Sequence, residues 1–192
     1  MSIQEFRSQI SGGGARPNQF KVELQFPSFA QSGSEAGRAS EFLCKSTSLP
    51  SSDIGVAYAA YRGRQLPLAG ERQFRPWEVV IYNDTNFLMR NAFESWMNQI
   101  NNLQYNTGVT NPSAYTVDMQ VHQLDRNGAI LKSYKFIGAW PQMVSPINLD
   151  FGANDQLEEF HVSFVYAHYV TEFKGSSGIS ATINTPFGGV TI

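Results

Sequence analysis

The chain has a single cysteine, Cys44, among 192 residues. No intramolecular disulfide is possible, so the fold must rest on burial and hydrogen bonding alone. Charge is also scarce, at 16% of residues, where an ordinary soluble domain carries about a quarter. The formal net charge is -2, so no strong basic field exists to grip phosphates, which argues against tight nucleic-acid binding. No apolar run reaches the roughly eighteen residues of a membrane-spanning helix, and no membrane anchor of that kind is expected. Residues 1–14 lack the apolar centre of a signal peptide, which predicts assembly in a cytoplasm.

Familiar chemistry is missing as well. Gly12-Gly13-Gly14 and Arg62-Gly63-Arg64 do not match a phosphate loop, which needs a lysine and a hydroxyl residue at fixed glycine spacing. His122, His161 and His168 show no helical ligand spacing, and His161 and His168 face opposite sides of one predicted strand. Asp118, Asp125, Glu158 and Glu159 fall on predicted solvated strand faces and turns, not as a pair held across a cleft. Cys44 adjoins Lys45, but strand neighbours point to opposite faces, so a small buried core residue is the plainer reading. These residues predict no catalytic site, no metal site and no cofactor.

Hydrophobic residues make up 42% of the chain and aromatics 13%. That suffices for one packed domain, and with so little charge it leans towards assembly. Residues 1–14 read as a flexible arm in which Phe6 and Ile10 either form a short helix or anchor on a neighbour. Phe20, Val22, Leu24 and Phe26 alternate with polar residues, the period of a half-buried strand. Residues 27–40 are rich in Ser, Gly and Ala and read as a loop or insertion. A second strand is predicted from about Ser40 to Leu49. Residues 51–61 read as an extended loop or as an arm reaching a neighbouring subunit, followed by a turn at Arg62-Gly63-Arg64.

Trp77 to Tyr82 is apolar on both faces, which predicts burial on both sides. Asp84 or Thr85 caps a helix over about 86–101, whose Met89, Ala92, Phe93, Trp96, Met97 and Ile100 share one face. Val117, Met119 and Val121 then alternate with Thr116, Asp118, Gln120 and His122. A hairpin turn at Asp125 to Gly128 leads into a return strand that Trp140-Pro141 should break. One long strand is predicted over Glu159 to Thr171, with Phe160, Val162, Phe164, Tyr166, His168 and Val170 on one face. Residues 174–192 read as a Gly-, Ser- and Thr-rich extension, either disordered or adding a strand to a partner. The fold class is mainly β: a β-barrel or two packed antiparallel sheets with one flanking helix.

Several short segments recur in a telling order. They are Ala15 to Phe20, Phe42 to Pro50, Leu68 to Phe74, Trp77 to Asp84 leading into the helix, and Gly138-Ala139-Trp140-Pro141. In order and spacing the chain resembles the tail tube proteins of T-even-like contractile-tailed phages. These are related to the tubes of contractile injection systems and the Hcp group of type VI secretion. The resemblance covers residues 15–173 as a β-barrel domain.

It implies a non-enzymatic homo-oligomer: hexameric rings stacked into a tube that conducts DNA without tight binding. It also implies a sheath, a baseplate, a tape-measure protein and a tail terminator as partners. The protein would be a virion component, assembled in the host bacterial cytoplasm. The resemblance implies that Ser51, Ser52, Asp53, Ile54, Val56, Tyr58, Tyr61, Arg62 and Arg64 contact the adjacent ring. Arg16 and Asn18 would lie near a subunit interface. The polar row Thr116, Asp118, Gln120 and His122 suits either a wet lumen wall or an ordinary outer face. Other readings are an injection-device tube, a β-barrel binding module using Tyr58, Tyr61 and Tyr115, or an enzyme using Cys44.

Overall fold

The computed structural model describes residues 2–10 and 14–173. The elements run α1 (Ile3–Gln9), β1 (Phe20–Glu23), α2 (Gly33–Leu43), β2 (Cys44–Thr47), β3 (Ser52–Tyr61), β4 (Arg64–Phe74) and β5 (Trp77–Tyr82). They continue with α3 (Leu88–Ile100), α4 (Pro112–Tyr115), β6 (Val117–Leu124), β7 (Ile130–Val144), β8 (Glu159–Val165) and β9 (His168–Phe173). The extension expected at 174–192 and the glycines at 12 and 13 lie outside the described residues.

Seven strands form one antiparallel sheet in the order β1-β6-β7-β8-β5-β2, with β9 also paired to β7. The fifteen-residue β7 belongs to both halves of this sheet. Its first part pairs with β6 and β9, and its second part with β8. Gly138 lies at the changeover with φ +66°, a backbone region that glycine enters without steric cost. The Trp77 ring, from one half, stacks on Phe136 from the other at 4.2 Å between centroids. The halves therefore face each other as two packed antiparallel layers. Among the described residues the sheet stays open, with β1 and β2 at its ends, and does not close into a barrel.

The core lies between these layers and α3. Trp77, Val79 and Ile81 of β5 meet Phe160, Val162 and Phe164 of β8 and Phe93 of α3, all fully buried or nearly so. Each such side chain contributes about 1.5–3 kcal/mol by leaving water. Burial on both sides of β5, expected from its apolar faces, is not found: the opposite face is only partly covered, with Glu78 exposed and Val80 and Tyr82 half-buried. Asp84 does serve α3, but from four residues upstream: its Oδ1 accepts the Leu88 N–H at 2.9 Å, and the cap residue is Phe87.

Four further sequence expectations change. Residues 33–43 form a helix where a loop and then a strand were expected. The small residues that read as a loop are what let α2 lie against the chain following β1. A Cβ on Gly33 would sit 2.8 Å from the Phe26 Cβ, and one on Gly37 3.1 Å from the Leu24 carbonyl. Ser40 is buried, accepts the Leu24 N–H at 3.1 Å and donates to the Gly37 carbonyl at 2.7 Å. Second, β7 runs through Trp140-Pro141. Its second half has a strand partner on one side only, and a bulge follows Pro141, so the missing N–H is tolerated.

Third, the long final strand is two strands, β8 and β9, separated at Tyr166 and Ala167. The phase shifts there: Tyr166 and Tyr169 pack on the core, while His168 and Val170 are not buried. Fourth, the segment over 51–61, expected as an extended loop or an arm, holds a regular strand, β3 over Ser52–Tyr61, which is one arm of a hairpin.

Candidate assembly surface

The hairpin pairs the ten residues of β3 with the eleven of β4. Its turn places Arg62 and Gly63 at φ +49° and +81°, the pair of positive values that matches the twist of a tight two-residue hairpin. The root is tied to the body. Arg75 pairs with Asp53 at 2.7 Å, and Arg72 donates to the Ser52 hydroxyl, which lies 3.4 Å from the Tyr169 hydroxyl. Phe74 packs on the rings of Tyr166 and Tyr169.

Beyond the root every residue of both strands is exposed. Val56 is 54% exposed, Tyr58 64%, Tyr61 69%, Leu66 60% and Leu68 49%. At Gly55 and Gly70 the two strands approach closely. A Cβ on Gly70 would stand 2.9 Å from the Gly55 carbonyl oxygen. Isolated two-stranded hairpins are marginal in water, and an apolar one this exposed requires a covering surface.

Of the residues expected at ring contacts, Asp53, Ile54, Val56, Tyr58, Tyr61, Arg62 and Arg64 all lie on this hairpin and are exposed. Ser51 precedes it and Ser52 is half-buried at its root. Arg16 and Asn18 lie elsewhere, exposed in the turn before β1. The Gln123 side chain holds that turn by donating to the Arg16 and Gln19 carbonyls. The strand β4 escaped the sequence reading. Pro67 and Gly70 lower its strand propensity, although Leu66 and Leu68 carried the alternation.

The second surface is the outer face of the β1-β6-β7-β9 layer. Glu23, Gln120, Lys135 and Val170 form one cross-strand row, and Lys21, His122, Ser133 and Glu172 the next. Asp118 pairs with Lys135 at 3.0 Å and accepts the Gly138 N–H at 3.2 Å. Burial opposes its charge, but Lys135 and the Gly138 amide outweigh burial and hold the carboxyl below its usual range. His122 is buried, with Nδ1 2.7 Å from the Ser133 hydroxyl and Nε2 3.5 Å from Glu23. The Lys21 ammonium keeps the Glu23 carboxyl low, opposed by burial. Thr116 spends its hydroxyl on the Pro112 carbonyl at 2.9 Å. Asp118, Gln120 and His122 thus belong to one polar, nearly charge-balanced sheet face, while Thr116 lies before β6 as the C-cap of α4.

Among the described residues, nothing comparable to an active site accompanies these surfaces. Cys44 is partly buried against the core, and burial pushes its thiol up to about 12, so it is not a thiolate nucleophile at neutral pH. Among the described residues, no three His, Cys, Asp or Glu side chains are placed to hold a metal ion. No described helix is long and apolar enough to cross a membrane. A groove of about 940 Å³ lies between α3 and the second half of β7, lined by Met97, Ile100, Trp140, Pro141 and Val144. Its charges, Arg90 and Glu94, are spent on each other at 2.5 Å. Tyr58, Tyr61 and Tyr115 do not line it.

Comparison with known proteins gives these surfaces a context. A family model described as phage tail tube protein matches residues 15–172. The tail tube protein of Serratia phage KSP90 is 31% identical over 173 residues, covering 89% of this chain and 97% of that protein. The tail tube protein gp19 of Enterobacteria phage T4 is 27% identical over 164 residues, covering 85% and 95%. Among solved structures, the sheath/tube terminator of an extracellular contractile injection system superposes with a TM-score of 0.60 at 12% identity, covering 83% of this chain and 96% of that one. The tube-terminating cap of the anti-feeding prophage gives 0.61 at 14% identity, covering 83% and 91%. The two structural likenesses establish a shared fold. The sequence matches go further, and by them the chain belongs to the phage tail tube protein family, whose members are structural components of virions.

Proposed function

We propose that this chain assembles into hexameric rings that stack into the inner tube of a contractile phage tail, and that the lumen conducts DNA into the host. The observation that carries this reading is the β3-β4 hairpin. It is a long, exposed, apolar ribbon on a chain of the tail tube family, and burying it between rings supplies the contact a stacked tube needs. The exposed turn holding Arg16 and Asn18 is the second candidate subunit contact. Thr116, Asp118, Gln120 and His122 face the lumen in this reading. The one acid among them, Asp118, is paired with Lys135, so this face offers sliding DNA a polar wall without net attraction.

The domain layout follows: an arm over 1–14, a tube domain over 15–173 and an extension over 174–192. Sheath, baseplate, tape-measure protein and terminator are the partners, and assembly takes place in the host cytoplasm. Electron microscopy of the purified protein over a range of concentrations tests the core of this reading. Hollow tubes or six-fold rings of uniform width are expected. A monodisperse monomer at every concentration, with and without a crowding agent, overturns it.

A further inference from the structure

The hairpin has two faces, and its register assigns residues to each. Directly paired residues in an antiparallel ribbon share a face, and successive residues alternate. Val56 pairs with Ala69, Tyr58 with Pro67 and Ala60 with Gln65, which makes one face. Ala57 pairs with Leu68, Ala59 with Leu66 and Tyr61 with Arg64, which makes the other. Both faces are apolar, and both are exposed along their length. A ribbon laid on one surface would alternate, apolar inward and polar outward. This one does not: no charged residue stands between Ile54 and Tyr61, or between Leu66 and Gly70. Covering one face alone would leave Val56 and Tyr58, or Leu66 and Leu68, in water.

The charge pattern indicates what covers it. The tip carries Arg62 and Arg64, with no acid from Ile54 through Gly70. The loop between β7 and β8 has the complementary character. Leu149, Phe151 and Leu157 are exposed there beside Asp150, Asp155 and Glu158, and no basic residue occurs from 145 to 160. One chain thus displays both a basic apolar ribbon and an acidic apolar loop, the arrangement of a self-complementary, head-to-tail contact.

Resting on the tube reading above, we propose that each hairpin is a wedge clasped on both faces by two different neighbouring copies, so that each ring-to-ring contact is a three-copy junction. One of the two neighbours receives the tip at its loop over residues 146–158. A junction of this kind couples the copies of one ring through the hairpins of the next. Loss of either face therefore breaks stacking as completely as loss of the whole hairpin.

The test uses the full chain and two double variants, V56E/Y58E on one face and L66E/L68E on the other. All four side chains lie outside the core, so both variants should melt as folded monomers like the wild type. Each should lower pelletable polymer by at least about tenfold, the scale of losing a buried interface anchor. A photoreactive residue in place of Tyr58, and separately of Leu66, should crosslink within assembled polymer to two different surfaces of neighbouring copies. Either variant assembling like the wild type, or both probes reaching the same surface, overturns the wedge while leaving the tube intact. A wild type that never polymerises overturns the tube reading itself, and the wedge with it.

Discussion

Ser40 is fully buried on α2, and its hydroxyl takes the N–H of Leu24, which no strand partner satisfies. Ser40→Ala strands that amide and should cost about 1–3 kcal/mol, read as a shift in denaturation midpoint at unchanged slope. Cys44 behaves as a small apolar residue. With its thiol raised to about 12, it should resist a disulfide-exchange reagent at pH 8 and react at once in denaturant. Fast labelling of the native protein would contradict the structure here. Asp118 has a depressed carboxyl, so the stability it contributes is present above the ordinary carboxylate range and fades as pH falls through its lowered value. Asp118→Asn should therefore cost something at pH 7 and nothing in acid. Because the Lys135 pair is more than a third exposed, the difference stays under about 1 kcal/mol. Stability curves at the two pH values decide it.

At the scale of elements, α2 and the hairpin carry the main lessons. Composition read α2 as a loop because Gly33, Gly37 and the serines Ser34 and Ser40 are weak helix formers. Their small size is what helix-on-strand packing demanded, and that demand exists only once β1 is in place. The hairpin was legible as an extended arm but not as a pair of strands. Its pairing is non-local to either segment, and Pro67 and Gly70 mask β4. Gly70→Ala puts a methyl 2.9 Å from the Gly55 carbonyl and should disturb the ribbon where its register already shifts. Monomer melting should move little, because nothing in the core changes, while polymer yield should fall severalfold in a sedimentation assay. An equal loss in both readouts would mean that the ribbon is part of the core's cooperative unit.

For the whole molecule, the core and the hairpin beyond its root are separate stores of apolar area. The core is closed by Trp77, Phe93, Phe136, Phe160 and Phe164, and it meets the hairpin at its root, where Phe74 packs on Tyr166. Assembly therefore adds stability without altering the fold, and by mass action the polymer should melt above the monomer. Apolar burial also resists salt, whereas surface ion pairs are screened within about 3 Å at 1 M. Tubes should thus persist in molar salt and lose only the modest help of Arg62 and Arg64. Dissolution by salt alone would shift the weight of the contact from the wedge to its charged tip. Light scattering against temperature and salt measures both effects.

The sequence by itself determined what local periodicity and residue order can carry. Strand alternation in β5, β6 and β8, the apolar face of α3 and the absence of catalytic spacing are all local patterns, readable without knowing what lies opposite. So was the order of segments that marks the family. Tertiary structure decided everything that depends on pairing across long separations. It set how β7 bends at Gly138 to serve both layers, and which phase β9 takes after Tyr166. It made α2 a helix because β1 lies beneath it. It also left both faces of the hairpin uncovered, because which surface a ribbon meets is settled by register and neighbours, and no single segment encodes either.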